Sequence, residues 1–139
     1  MKYTVQAVIF NENREVLAVS RKDDHNDYGL VGGKVDDEDW EYSLIMDPLK
    51  YAMRRECMEE TGLELNMDTA EVVLQIHKDG YMSITYLIHD WSGKINYNEP
   101  HVVTWTHFNT LIEGSFGKYN QLVAESLADM GIDFIIFAD

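Results

Sequence analysis

The stretch from Asp47 to Gly62 constrains this chain more than any other, because it reads as a helix with acids on the side it should bury. Asp47 is a good N-cap, and Pro48 suits the first helical position, where a missing N–H is no loss. Gly62 can stop the helix in a left-handed conformation. On a helical wheel Leu49, Ala52, Met53 and Cys57 form one apolar stripe, the side that packs on a protein body. Glu56 and Glu60 fall on that stripe and Glu59 flanks it, at i+3 and i+4 spacings that make the three carboxylates converge. Converging like charges beside a core are unfavourable unless neutralised, and acids at a helix C-terminus also oppose the macrodipole. Two readings stand. The triad is either a solvated acidic helix end or a seat for a hard divalent cation, Mg²⁺ or Mn²⁺, which prefers oxygen ligands and keeps waters and substrate phosphates in its shell.

The rest of the chain alternates apolar runs with turn signals. Residues 2–10 and 16–21 read as strands joined by a turn at 11–15. Loop-like residues follow from Lys22 to Tyr28, and then Leu30-Val31-Gly32-Gly33-Lys34 reads as a glycine loop ahead of the helix. From Val35 to Asp47 there are six acids and no base, the pattern of a solvated surface loop. Residues 70–78 and 81–91 form a hairpin around Asp79-Gly80, and 101–108 is a further strand candidate. A second helix over 118–130 places Tyr119, Leu122, Val123, Leu127 and Met130 on one side, with Gly131 as its stop. The apolar tail 132–137 suits an edge strand, a packed terminus or a partner contact. The fold class is α+β, with strands outnumbering helices, in one domain over residues 1–139.

Composition closes off several functions. With 11 basic and 25 acidic residues the net charge is −14, and no basic stripe exists to meet nucleic-acid phosphates. A small phosphorylated ligand stays open, provided a cation screens the repulsion. The single cysteine excludes an intrachain disulfide framework and any CxxC zinc knuckle. Cys57 lies on the apolar stripe and reads as core. The five histidines show no HxH or HxxxH ligand spacing. The apolar run from Val5 to Phe10 is too short for a signal or membrane segment, so a cytoplasmic location without membrane contact is expected.

Arg55-Glu56-Cys57-Met58-Glu59-Glu60-Thr61-Gly62-Leu63 resembles the core of the Nudix hydrolase box, R-E-U-x-E-E-x-G-U with U apolar, at every specified position. Upstream, Gly32-Gly33-Lys34-Val35 resembles the family's Gly-Gly-Lys start, and the order strand, turn, strand, glycine loop, helix is similar to the family fold. The resemblance implies a Nudix-type α/β/α sandwich with a mixed β-sheet. The chain departs from the full box, G-x5-E-x7-R, in having eight additional residues between Gly33 and Arg55. The first acid falls on Asp39 counting forward from Gly33 and on Asp47 counting back from Arg55, and Asp replaces Glu on either count. Asp47 is preferred, because it begins the helix, which puts the insertion between Gly33 and Asp47.

By resemblance, Glu56, Glu59 and Glu60 hold one or more Mg²⁺ ions, with Mn²⁺ as a substitute and a backbone carbonyl of Gly32 or Gly33 as a further ligand. Such metals draw charge off a diphosphate linkage and lower the pKa of an attacking water. Arg55 is placed to pair with Glu59 one turn on and orient it, or is an ordinary helix surface pair. Arg21 and Lys34 resemble positions where the family touches phosphate. The general base comes from the helix carboxylates or from a later loop, where Glu99 is the first candidate and Asp90 the second.

The activity implied is hydrolysis of a nucleoside diphosphate linked to another moiety, with a MutT-like (d)NTP pyrophosphohydrolase as the leading reading. Dinucleoside polyphosphate and nucleotide-sugar hydrolysis and a non-catalytic nucleotide-binding module are the alternatives. An isomerase on this fold is a further one, needing a cysteine and acid pair for which Cys57 is the only thiol. The only prolines, Pro48 and Pro100, do not suit an ADP-ribose subtype. Tyr81 resembles a dinucleoside-polyphosphate cue, although tyrosine is favoured in any strand. Trp105, with Phe108 and Leu111, resembles a W-x5-L segment whose aromatic stacks on a base, with Asn109 or Asn120 reading the base edge; core packing also accounts for Trp105. The expected partner is a small nucleotide, and a homodimer fits the apolar tail.

Overall fold

The computed structural model describes residues 2–41, 46–97 and 100–132. Strand β1 (Lys2–Ile9) and strand β2 (Val16–Ser20) flank a turn in which the Asn11 side chain accepts hydrogen bonds from the Asn13 and Glu15 amides. The turn needs one left-handed residue, Arg14, with φ of 62°. Strand β3 (Tyr28–Lys34) pairs antiparallel with both β1 and β2. It contains Gly32 and Gly33, so the glycine loop expected from sequence is a central strand. Glycines weaken a strand intrinsically and mark places where another group approaches closely. A Cβ on Gly32 would stand 2.0 Å from the Val5 carbonyl oxygen, and one on Gly33 would stand 2.6 Å from the Glu56 carboxyl carbon.

The acidic stretch also differs from a wholly solvated loop. It holds a short helix α1 (Asp37–Trp40), and Asp39 within it is fully buried. Helix α2 (Pro48–Thr61) then begins and ends as expected: Asp47 accepts from the Leu49 and Lys50 amides, and Gly62 closes it at φ of 81°. Strand β4 (Glu64–Leu65) pairs with β7 (Trp91–Ser92), separately from the main sheet. Strands β5 (Glu71–Lys78) and β6 (Tyr81–Ile88) form the expected hairpin, with positive φ at both Asp79 and Gly80. Strand β8 (Val103–Thr106), helix α3 (Phe108–Ile112) and helix α4 (Gly117–Asp129) complete the chain. Helix α3 has no counterpart in the sequence reading, because its five residues are too few to show a helical period.

The main sheet has six strands in the order β5-β6-β1-β3-β2-β8. Only β1 and β6 run parallel; every other pair is antiparallel, which makes the sheet mixed. On one face Val5, Ala7 and Ile9 pack against Ala52, Met53 and Cys57 of α2. On the other, Val8, Val16 and Ala18 pack against Phe108, Leu111, Val123 and Leu127 of α3 and α4. The alternation of β1 side chains between faces thus builds two cores, giving helix, sheet and helix layers. Of the apolar tail, Ile132 packs on the second core and 133–137 lies outside the described residues.

Candidate active site

Helix α2 is held on the sheet by Ala52, Met53 and Cys57, all fully buried, so its acidic stripe must also face β3. Gly33 makes room for that approach and Gly32 contributes its amide. Glu56 lies over Gly33 in the space a side chain would fill, and the Gly32 amide donates to Glu60 Oε1 at 2.9 Å. Burial pushes the Glu60 carboxyl up to about 8, an effect the Gly32 hydrogen bond opposes and the Glu56 and Glu59 charges reinforce. Burial raises the Glu56 carboxyl as well, against the opposing charge of Arg55. These are carboxylates short of positive charge, which is the condition a hard divalent cation relieves. Among the described residues no three side chains are gathered at metal-ligand spacing, because Glu59 is 59% exposed and turned to Arg55.

Arg55 organises the acids around it. Its Nε and Nη2 each donate to Asp39 at 2.8 Å, a two-point pair with a carboxylate that is 1% exposed. Its Nη1 reaches Glu56 and Glu59 at 3.2 Å, and its Nη2 reaches Asp36 at 3.4 Å. Burial raises the Asp39 carboxyl, but the Arg55 hydrogen bonds and charge more than offset this and leave it below its ordinary value. The forward count from Gly33 therefore identifies the acid that meets Arg55. Asp47, preferred on the backward count, is only the helix cap, and the eight additional residues lie between Asp39 and Arg55. The backward count assumed that the added residues precede the box acid, whereas the acid on Arg55 is Asp39 and they follow it.

Beside these acids lies a cavity of about 510 Å³ on the α4 side of the sheet. Its lining includes Gly32, Gly33, Glu60, Arg21 and Tyr81, together with Gln6, Phe116, Tyr119 and Asn120. Thr85 Oγ1 and Tyr119 Oη lie 2.6 Å apart, and each is 3.3 Å from Gln6 Oε1. Asn120, also on the lining, donates from Nδ2 to the Leu111 carbonyl. Lys34 stands just outside, its Nζ 5.9 Å from the Tyr81 ring centre. Arg21 is tied to Asp23 at 3.1 Å.

Other candidates fall elsewhere. Trp105 lies across the sheet, packed on the first core with its ring 5.6 Å from Trp91. Asn109 sits in α3 and does not line the cavity. Asp90 accepts from Asn66 Nδ2 at 3.0 Å, beside a different cavity of about 460 Å³. Glu99 lies outside the described residues. Cys57 is buried and its thiol is pushed up to about 11, so it is a poor proton shuttle. The sequence reading passed over Gln6, Phe116 and Tyr119. For Gln6 a signal exists: Lys2, Thr4 and Gln6 are polar on the β1 face where Val8 is core.

The comparisons agree with this architecture. The NUDIX domain model matches residues 2–122. A MutT structure from work on Aliivibrio salmonicida and Vibrio cholerae is similar at 21% identity and a TM-score of 0.70, covering 92% of this chain and 98% of that one. A MutT NUDIX hydrolase from Burkholderia pseudomallei is 27% identical, with a TM-score of 0.59 over 78% of this chain and 84% of that one. An ADP-ribose pyrophosphatase from Streptococcus suis is 21% identical, with a TM-score of 0.65 over 93% and 91%. No curated protein shows a significant match to the chain. Among the described residues no helix is long and apolar enough to cross a membrane. With the model spanning all but the first residue and the last 17, the chain belongs to the NUDIX domain family, the family of the Nudix hydrolases.

Proposed function

We propose that the chain acts as one Nudix domain that hydrolyses nucleoside triphosphates to the monophosphate and pyrophosphate in the presence of Mg²⁺. The observation that carries this reading is the placement of the Glu56 and Glu60 carboxylates against Gly33 and Gly32, with Glu60 and both glycines lining the 510 Å³ cavity. MutT-type hydrolases among its structural relatives support the triphosphate class, and the ADP-ribose pyrophosphatase supports the wider class of nucleoside diphosphates linked to another group.

Glu56, Glu59 and Glu60 would hold the cation, and the raised proton affinities of Glu56 and Glu60 suit a hard divalent ion such as Mg²⁺. Bound there, the ion supplies charge to the diphosphate and acidity to a water. The chain's own residues do the rest. Arg55 keeps Glu56 and Glu59 in place, itself anchored by Asp39. The Gly32 N–H fixes Glu60. Lys34 and Arg21 meet substrate phosphates, and the cavity with Tyr81 and Asn120 on its walls receives the nucleoside. Water attacks a phosphorus of the anhydride, pyrophosphate leaves, and the water's proton passes to a carboxylate, either on α2 or at Glu99.

The same reading includes a cytoplasmic setting, suited to a single buried thiol, and a homodimer, for which sedimentation is the direct test. The activity itself is tested with a nucleotide panel and identification of products. Mg²⁺-dependent release of pyrophosphate, lost in Glu60→Gln and Glu59→Gln, is expected. Turnover without metal, or turnover indifferent to both substitutions, overturns the reading.

A further inference from the structure

The sheet face beneath the cavity continues beyond the reach of α4, and its register shows what lies there. Gln6 pairs with Gly32 and Thr85, Thr4 with Lys34 and Ser83, and Lys2 with Tyr81. Residues directly opposite one another share a face. Lys2, Lys34 and Tyr81 therefore form the outer end of the strip whose inner end is the cavity wall. Tyr81 belongs both to the large cavity and to a cleft of about 330 Å³ that continues outward from it.

Two ammonium groups bracket this one ring. Lys2 Nζ is 5.7 Å and Lys34 Nζ 5.9 Å from its centre, within the range at which a cation is held over an aromatic face. Neither lysine makes an ion pair among the described residues, whereas Arg21, Arg54 and Arg55 are each paired with a carboxylate. In a chain with 25 acids and 11 bases, Lys2 and Lys34 are the positive charges of this cleft, whose lining also carries Asp36 and Asp37. Of these two acids, Asp36 is drawn toward Arg55 at 3.4 Å, and among the described residues neither forms an ion pair with Lys2 or Lys34.

We propose that Lys2 acts with Lys34 as an anion seat for the distal phosphate of the substrate, making Lys2 a specificity-determining residue. The proposal rests on the hydrolase reading above. Lys34, next to Gly33, meets the phosphate chain where it leaves the acidic rim, and Lys2 extends that contact one residue pair further out. The Tyr81 ring keeps both ammoniums on the strip instead of free in solvent.

The test compares wild type, Lys2→Gln and Lys2→Arg on a nucleoside triphosphate over a range of salt. Lys2 is exposed, and matching circular dichroism and melting curves will establish that the variants fold. Lys2→Gln should raise KM about five-fold, the order expected for one near-surface charge contact, with kcat within about two-fold of wild type. It should also flatten the salt dependence of kcat/KM, and Lys2→Arg should preserve both. An unchanged KM in Lys2→Gln, or equal impairment in Lys2→Arg, overturns the seat. Should wild type turn over no triphosphate, the hydrolase reading fails first. The seat is then read by calorimetry with pyrophosphate, and equal affinities of wild type and Lys2→Gln overturn it.

Discussion

Asp39 and Glu60 are two acids withdrawn from water on neighbouring parts of this molecule, and the protein treats them in opposite ways. Asp39 meets a guanidinium through two 2.8 Å hydrogen bonds and a further bond from the Asp36 amide, and its proton affinity falls. Glu60 has one backbone N–H and two acidic neighbours, and its proton affinity rises to about 8. The first carboxylate is complete within the protein. The second is short of a cation that the described residues do not provide. Burial alone therefore says little about an acid's role; the charge that accompanies it decides.

The contrast can be broken most severely at Glu60. Substituting Glu60→Gln keeps the shape and the bond from Gly32 but removes a donor to the cation. Activity should fall about 100- to 1,000-fold, the scale of losing one electrostatic contact to a transition state, while the melting temperature stays the same or rises. Steady-state kinetics beside differential scanning calorimetry would read both. The opposite pattern is expected for Asp39→Ala, which strips a buried partner from Arg55. Urea unfolding should show a loss of about 3 kcal/mol, because a buried pair is broken and Arg55 loses both of its 2.8 Å hydrogen bonds.

Next in size are the glycines. Gly32→Ala sets a Cβ against the Val5 carbonyl, rigid backbone in the centre of the sheet, and should destabilise the fold by about 3 kcal/mol or more. Gly33→Ala meets only the end of the Glu56 side chain, which can swing away. It should unfold near the wild-type midpoint but lose activity. Equal effects of the two substitutions on stability would contradict the role given to Gly33.

A smaller effect, and one of opposite sign for the two acids, is expected from pH. Glu60 holds its proton to about pH 8 in the folded chain, against an ordinary value of 4.5. The metal-free protein should therefore lose stability as pH rises from about 4.5 to 8, then level off. Asp39, with a lowered pKa, contributes stability above its ordinary value of 3.8 that is lost as pH falls through the lower folded one. Denaturant midpoints across pH for wild type, Glu60→Gln and Asp39→Asn separate the two: the alkaline decline should be smaller in the first variant and the acid decline in the second.

Much of this arrangement was legible in the chain, and what was hidden shares a cause. Helix α2, its Asp47 cap, its Gly62 stop and the convergence of Glu56 and Glu60 follow from local spacing alone. So does the Asp79-Gly80 hairpin. Gly32 and Gly33 read as a loop because what they make room for lies far off in sequence, the Val5 backbone of β1 for Gly32 and Glu56 of α2 for Gly33. Asp39 was one of two candidates for the first box acid, and only the contact with Arg55, 16 positions on, separates it from Asp47. The cavity wall joins Gln6 to Tyr119 across 113 positions, a proximity no periodicity reveals. Trp105 turned on parity: it pairs with Leu17, which faces the α2 core, so its ring points away from the cavity.

The claim that Glu60 awaits a cation while Asp39 does not is tested most directly by titrating Mg²⁺ into the wild-type protein, Glu60→Gln and Asp39→Asn in calorimetry at pH 7, in two buffers of different ionisation enthalpy. Wild type should bind the ion and release protons as Glu60 ionises. Asp39→Asn should retain binding with the same proton release, and Glu60→Gln should lose both. Binding in Glu60→Gln at wild-type affinity and with unchanged proton release would contradict it.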